Sequence, residues 1–148
     1  MALALVLALV AAVRPASAVQ VDFLPKPDPD DGKTFRVLCF HDIRDNLRAS
    51  FETLPDAFAV DTKMLTNMFS WIQANGYHPV TLAQIDEARR GGKPLPKRPI
   101  LLTFDDGYES HYTKVFPLLK QFRFPAVFGL VTEWTNAPPG AKIKLSNT

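Results

Sequence analysis

The sequence predicts an α/β fold with a parallel sheet, and three observations predict it. Pro99-Ile100-Leu101-Leu102-Thr103-Phe104 is a continuous apolar run that stops at Asp105-Asp106-Gly107, the pattern of a strand buried on both faces. Residues 61–75 and 81–90 carry helical spacing with start signals. They alternate with short strand candidates, giving the order β-α-β-α-β-α-β with right-handed crossovers expected. In parallel folds the C-terminal edge of the strands holds the chemistry, so Asp105 and Asp106 mark the candidate site. Side chains at i and i+1 on a regular strand point to opposite faces. The two acids can serve one site only if the strand ends between them, and Gly107 permits the turn.

From the N-terminus, Met1 to Val13 is apolar and is followed by Arg14-Pro15-Ala16-Ser17-Ala18. It is shorter than the roughly 20 residues that span a bilayer. Ala16-Ser17-Ala18 fits the small-x-small cleavage pattern, so 1–18 is expected to be an export signal, although no Lys or Arg precedes the apolar core. Residues 19–33 hold Pro25, Pro27, Pro29, Asp28, Asp30, Asp31 and Gly32, and are expected to form an extended linker. The folded domain is expected over 34–148.

Phe35 to Phe40 is the first predicted strand, with His41-Asp42 at its end. Cys39 is the only cysteine, which excludes an intrachain disulfide; it is expected to be a small buried core residue rather than a reactive thiol. Arg44 to Val60 has no steady period and reads as a long surface loop near the same edge. In 61–75, Leu65, Met68, Phe69 and Ile72 fall on one helical face, Asp61 can cap the start and Gly76 suits the position past the end. Tyr77 to Val80 approaches as a short strand. Thr81-x-x-Gln84 is a capping box, with Val80 and Ile85 as its hydrophobic staple, and that helix stops at Gly91-Gly92. After Tyr108, helical spacing returns at Tyr112, Val115, Phe116, Leu119 and Phe122. Pro117 would break one continuous helix, so two pieces are expected, the second opening at Pro117. Ala126 to Val131 is a predicted strand and Trp134 to Thr148 a loop.

The composition excludes several classes. The 148 residues suffice for one domain, and a formal charge of +2 gives no basic stripe for nucleic acid. A two-carboxylate glycosidase needs acids about 5–9.5 Å apart across a sugar, which adjacent residues suit poorly. A phosphoryl-transfer site could use Asp106 with Mg²⁺, but no phosphate-cradling glycine-rich loop accompanies it.

Leu102-Thr103-Phe104-Asp105-Asp106-Gly107-Tyr108 is similar to the first motif of the polysaccharide deacetylases, the NodB-like carbohydrate esterases. The match extends through Phe40-His41-Asp42, Asn75-Gly76-Tyr77-His78-Pro79-Val80, Gly91-Gly92-Lys93-Pro94-Leu95-Pro96 and Val115-Phe116-Pro117, covering roughly Thr34 to Trp134. This wider pattern resembles the family's periplasmic, biofilm-associated branch that acts on poly-N-acetylglucosamine. The resemblance implies the first half of a distorted (β/α) barrel, since a full barrel takes about 250 residues. It implies a hydrolase removing N-acetyl groups from an exopolysaccharide, in the periplasm or secreted, with Asp105 as general base and Asp106 as a ligand of a divalent metal, usually zinc. The family's other metal ligands are two histidines in a His-x-x-x-His type motif. His41, His78 and His111 have no such spacing, so those ligands are expected beyond Thr148 and the fragment alone is expected to be inactive. A catalytically inactive fragment or a carbohydrate-binding scaffold is the alternative.

His41, Asp42 and Tyr108 are the remaining candidates to line the site. His41 stands on the edge of Asp105, with lining and structural roles equally weighted. Asp42 is expected to cap the loop in preference to orienting His41. Tyr108 is expected to pack under the motif rather than touch sugar. His78 is read as structural and His111 as solvated.

Overall fold

The computed structural model describes Leu24, Lys26, 28–48 and 57–136. The expected signal at 1–18, most of residues 19–27, the loop centre at 49–56 and the tail at 137–148 lie outside the described residues.

The sheet is built around the strand of the first observation. Four strands take part: β1 (Arg36–Phe40), β4 (His78–Pro79), β5 (Pro99–Phe104) and β6 (Val127–Phe128), with β2 (Ile43–Arg44) and β3 (Val60–Asp61) forming a separate pair. All pairings are parallel. β1 follows β5 along its whole length, from Arg36 opposite Ile100 to Phe40 opposite Phe104. β4 meets the start of β5 and β6 its end, Phe128 lying opposite Phe104. The C-terminal ends of β1, β5 and β6 therefore come together.

Both faces of β5 are covered, as its unbroken apolar run requires. Ile100, Leu102 and Phe104 pack on Leu65, Phe69 and Ile72 of α1 (Thr62–Ala74), on Val115 and on Leu119 of α3 (Phe116–Phe122). Leu101 faces the other way, onto Val80, Leu95 and the Ile85–Ala88 side of α2 (Leu82–Arg89). The start signals act as expected. Asp61 accepts the Lys63 N–H at 2.8 Å. Thr81 and Gln84 exchange both capping-box bonds, at 3.2 and 2.8 Å. Pro117 is accommodated by a π-helical turn, His111–Val115, that hands over to α3 with the proline in its first turn.

Several expectations are corrected. Leu24 is buried in the core. Asp28, from the expected linker, accepts the Tyr77 hydroxyl at 2.5 Å and pairs with Arg98 at 3.2 Å and Arg36 at 3.7 Å. Asp31 caps Lys33 and Thr34, while the Gly32 carbonyl receives the Leu95 N–H. The described part of 19–33 is thus docked: a charge-rich segment finds three polar partners on the domain instead of water. The expected 44–60 loop is pinned at both ends by the β2–β3 pair, where Ile43 is buried. The last strand is only two residues long, and α4 (Thr132–Thr135) replaces the start of the expected terminal loop. Cys39 is exposed, not core: β1 turns Leu38 and Phe40 to the helices, so Val37 and Cys39 take the open face.

Candidate active site

β5 ends at Phe104 and the backbone leaves the sheet at once. The Asp105 N–H still bonds the Phe40 carbonyl (2.9 Å), extending the ladder by one rung. Asp106 and Gly107 then both adopt left-handed backbone, φ 78° and 73°. An aspartate tolerates that region better than most residues. At Gly107 a Cβ would also meet Leu130 Cδ2 at 2.9 Å. The break between the acids that the sequence demanded is present.

Asp105 turns toward the end of β1. The Cys39 thiol donates to Asp105 Oδ2 at 3.2 Å. One donor atom each of Cys39, His41 and Asp105 lie within 4.8 Å of one another, the sole grouping with metal-ligand composition among the described residues. Gly129, just past β6, lies so close that a Cβ there would stand 3.2 Å from Asp105 Oδ1. The Thr103 hydroxyl favours the Cys39 thiolate. Partial burial, the Asp105 carboxylate and the Asp106 charge nevertheless combine to hold the thiol above its ordinary range. Asp105 and Asp106 are both half-buried.

The neighbours are fixed by buried polar bonds. His111, expected to be solvated, is 5% exposed; its Nε2–H donates to the His41 carbonyl at 2.8 Å. Its Nδ1 is buried without a partner. The turn into the π-helix drives this ring inward among Phe104, Tyr108 and Phe128, with centroids 5.7–5.8 Å away. Tyr108 packs there, as expected. The half-buried His41 ring stands 5.3 Å from that of Phe58. Asp42 ties the loop: it accepts Arg44 Nε–H at 2.6 Å and the Ser110 hydroxyl at 2.8 Å, and Ser110 Oγ accepts the Ile43 N–H. His78 lies at the opposite end of β5, with Nδ1 2.8 Å from the Lys97 carbonyl, a structural position.

Cys39 and Ser110 are what sequence reasoning missed. Strand alternation offered a signal for Cys39, because positions 37, 39 and 41 share a side and His41 was already placed at the edge. Ser110 carried none. The implied metal set, Asp106 with two histidines, is not made by these residues: His78 is remote, and His111 spends Nε2 on a carbonyl.

The polysaccharide deacetylase family profile matches residues 92–146. The chain is 42% identical over 123 residues to the poly-beta-1,6-N-acetyl-D-glucosamine N-deacetylase of Escherichia coli K12, covering 82% of this chain and 17% of that protein. Among solved structures it is similar to the deacetylase domain of BpsB from Bordetella bronchiseptica, with 62% identity, TM-score 0.65, and coverage of 82% of this chain and 46% of that one. The de-N-acetylase from Aggregatibacter actinomycetemcomitans matches at 33% identity and TM-score 0.68, over 77% of this chain and 44% of the other. The chain thus spans less than half of each of these relatives.

Proposed function

The chain belongs to the polysaccharide deacetylase family, and on that premise we propose that it takes part in hydrolysing N-acetyl groups from a poly-N-acetylglucosamine polysaccharide. Asp105 is the general base. Its support is one observation: Asp105 sits where the parallel strands end, its carboxylate beside Cys39 and His41 at the β1 terminus.

An acetamide is cleaved by water that must lose a proton as it attacks, and a carboxylate within hydrogen-bond reach can take it. Asp105 Oδ2 already accepts a hydrogen bond from Cys39, and Oδ1 lies against Gly129, where a side chain would crowd the carboxylate. His41 borders the same space, held through its carbonyl by His111. A divalent cation, zinc by the family's habit, would lower the pKa of a bound water and polarise the carbonyl. Asp106 is the residue assigned to it. The described residues do not complete its ligand set. The locus is periplasmic or secreted under this reading, and no helix among the described residues is long and apolar enough to cross a membrane.

The test is acetate release from N-acetylglucosamine oligomers by the full-length gene product. Asp105→Asn is expected to lower release about 10²- to 10⁴-fold, the usual worth of a general base. Asp106→Ala should lower metal content and release together, as should a chelator, with recovery on adding Zn²⁺. Unchanged release in either variant overturns the assignment.

A further inference from the structure

We propose that Cys39, His41 and Asp105 form a second cation site, one that takes a thiophilic divalent ion such as Zn²⁺ or Cd²⁺ and silences the general base. Its place in catalysis rests on the reading above; the binding itself does not.

Three donors of different chemistry, a thiol sulfur, an imidazole nitrogen and a carboxylate oxygen, come within 4.8 Å of one another. Around one tetrahedral zinc, with bonds of about 2.0–2.3 Å, such atoms stand roughly 3.5 Å apart. The Sγ–Oδ2 separation is already 3.2 Å, so small side-chain rotations suffice. The backbone predisposes the set: Cys39 and Asp105 are carried by paired strands in fixed register, and the ladder continues to the Asp105 N–H. His111 anchors the His41 backbone from beneath. Gly129 spares the carboxylate a crowding side chain, and the exposed Cys39 gives the ion access from solvent.

The donor set selects the ion. A thiolate with imidazole and one carboxylate suits zinc or cadmium and disfavours magnesium and calcium, which take oxygen ligands. Three protein ligands leave a fourth position open. On binding, the Cys39 thiol gives its proton to solvent and the M–S bond forms. The thiolate and carboxylate then balance the double positive charge. Asp106 takes no part. The consequence is competitive in kind: the Asp105 oxygens bound to this ion no longer accept a proton from water. Zinc that activates at low concentration through Asp106 would inhibit at higher concentration through Asp105.

The experiment adds Cd²⁺ to metal-free full-length protein and follows the thiolate-to-cadmium charge-transfer absorption in the near ultraviolet. A saturating band with the amplitude of one thiolate-bound ion per chain is expected. His41→Gln and Asp105→Asn each keep the sulfur and should weaken the half-saturation by at least about ten-fold; Asp106→Ala should leave it in place. No band, or a band equally tight in His41→Gln or Asp105→Asn, overturns the site. In acetate release, Cys39→Ser should bring the ratio of rates with and without excess Zn²⁺ toward one, and an unchanged ratio refutes the inhibitory role. If the parent protein releases no acetate, the functional reading fails while the cadmium result still decides the site.

Discussion

At the residue scale, buried polar bonds hold the acidic edge in place, and their removal has calculable sign. Ser110 is 8% exposed and serves both Asp42 and the Ile43 N–H. Ser110→Ala leaves a buried donor and an acceptor unpaired, and should cost about 1–3 kcal/mol by urea unfolding. Tyr77 is pushed up to about 12 by burial first and then by its bond to Asp28. The folded-state value lies above the ordinary value of 10.0. This contribution is therefore fully present below pH 10 and is lost as pH climbs through about 12. Tyr77→Phe should flatten the fall in stability across that alkaline window, measured as melting temperature against pH; an identical profile refutes the account. His111 shows what escapes a linear reading. Its helical position suggested exposure, but the π-helical turn inserts it beneath the acids, and no spacing rule announces such a turn.

At the element scale, the two helix starts, the Pro117 break and the central strand were legible because each depends on local chemistry: a capping oxygen, a missing N–H, an unbroken apolar run. Thr81→Ala removes one half of a complete capping box and should cost about 0.5–2 kcal/mol in chemical denaturation. What was not legible depends on partners distant in sequence. The Asp28 side chain finds Arg36, Tyr77 and Arg98 only after the chain has folded, so a stretch rich in proline and acid looked like a linker. Cys39 failed for the opposite reason. An apolar run of four, Val37 to Phe40, suggested burial on both sides, whereas β1 is covered on one face only, which leaves Val37 at 53% exposure beside it. The end of the strand at the acids was read correctly: β5 stops at Phe104, and left-handed backbone follows at Asp106 and Gly107.

At the scale of the whole molecule, β1 has β5 on one edge and, among the described residues, nothing on the other. An open strand edge with apolar neighbours invites pairing between chains. The 148-residue chain expressed by itself should therefore scatter light increasingly with concentration, and Val37→Lys, a charge beside that edge, should reduce the effect. A monomer at all concentrations would refute this. The parallel register of β1 on β5 carries a further implication. Thiol, imidazole and carboxylate meet because one rung of amide bonds sets Cys39 opposite Thr103. A slip by a single rung would trade the thiol for the hydrocarbon of Leu38 or Phe40. The same misstep would evict an aromatic ring from the interior, so errors in threading that would part thiol from carboxylate are rejected during folding by oil and water, well before any ligand arrives.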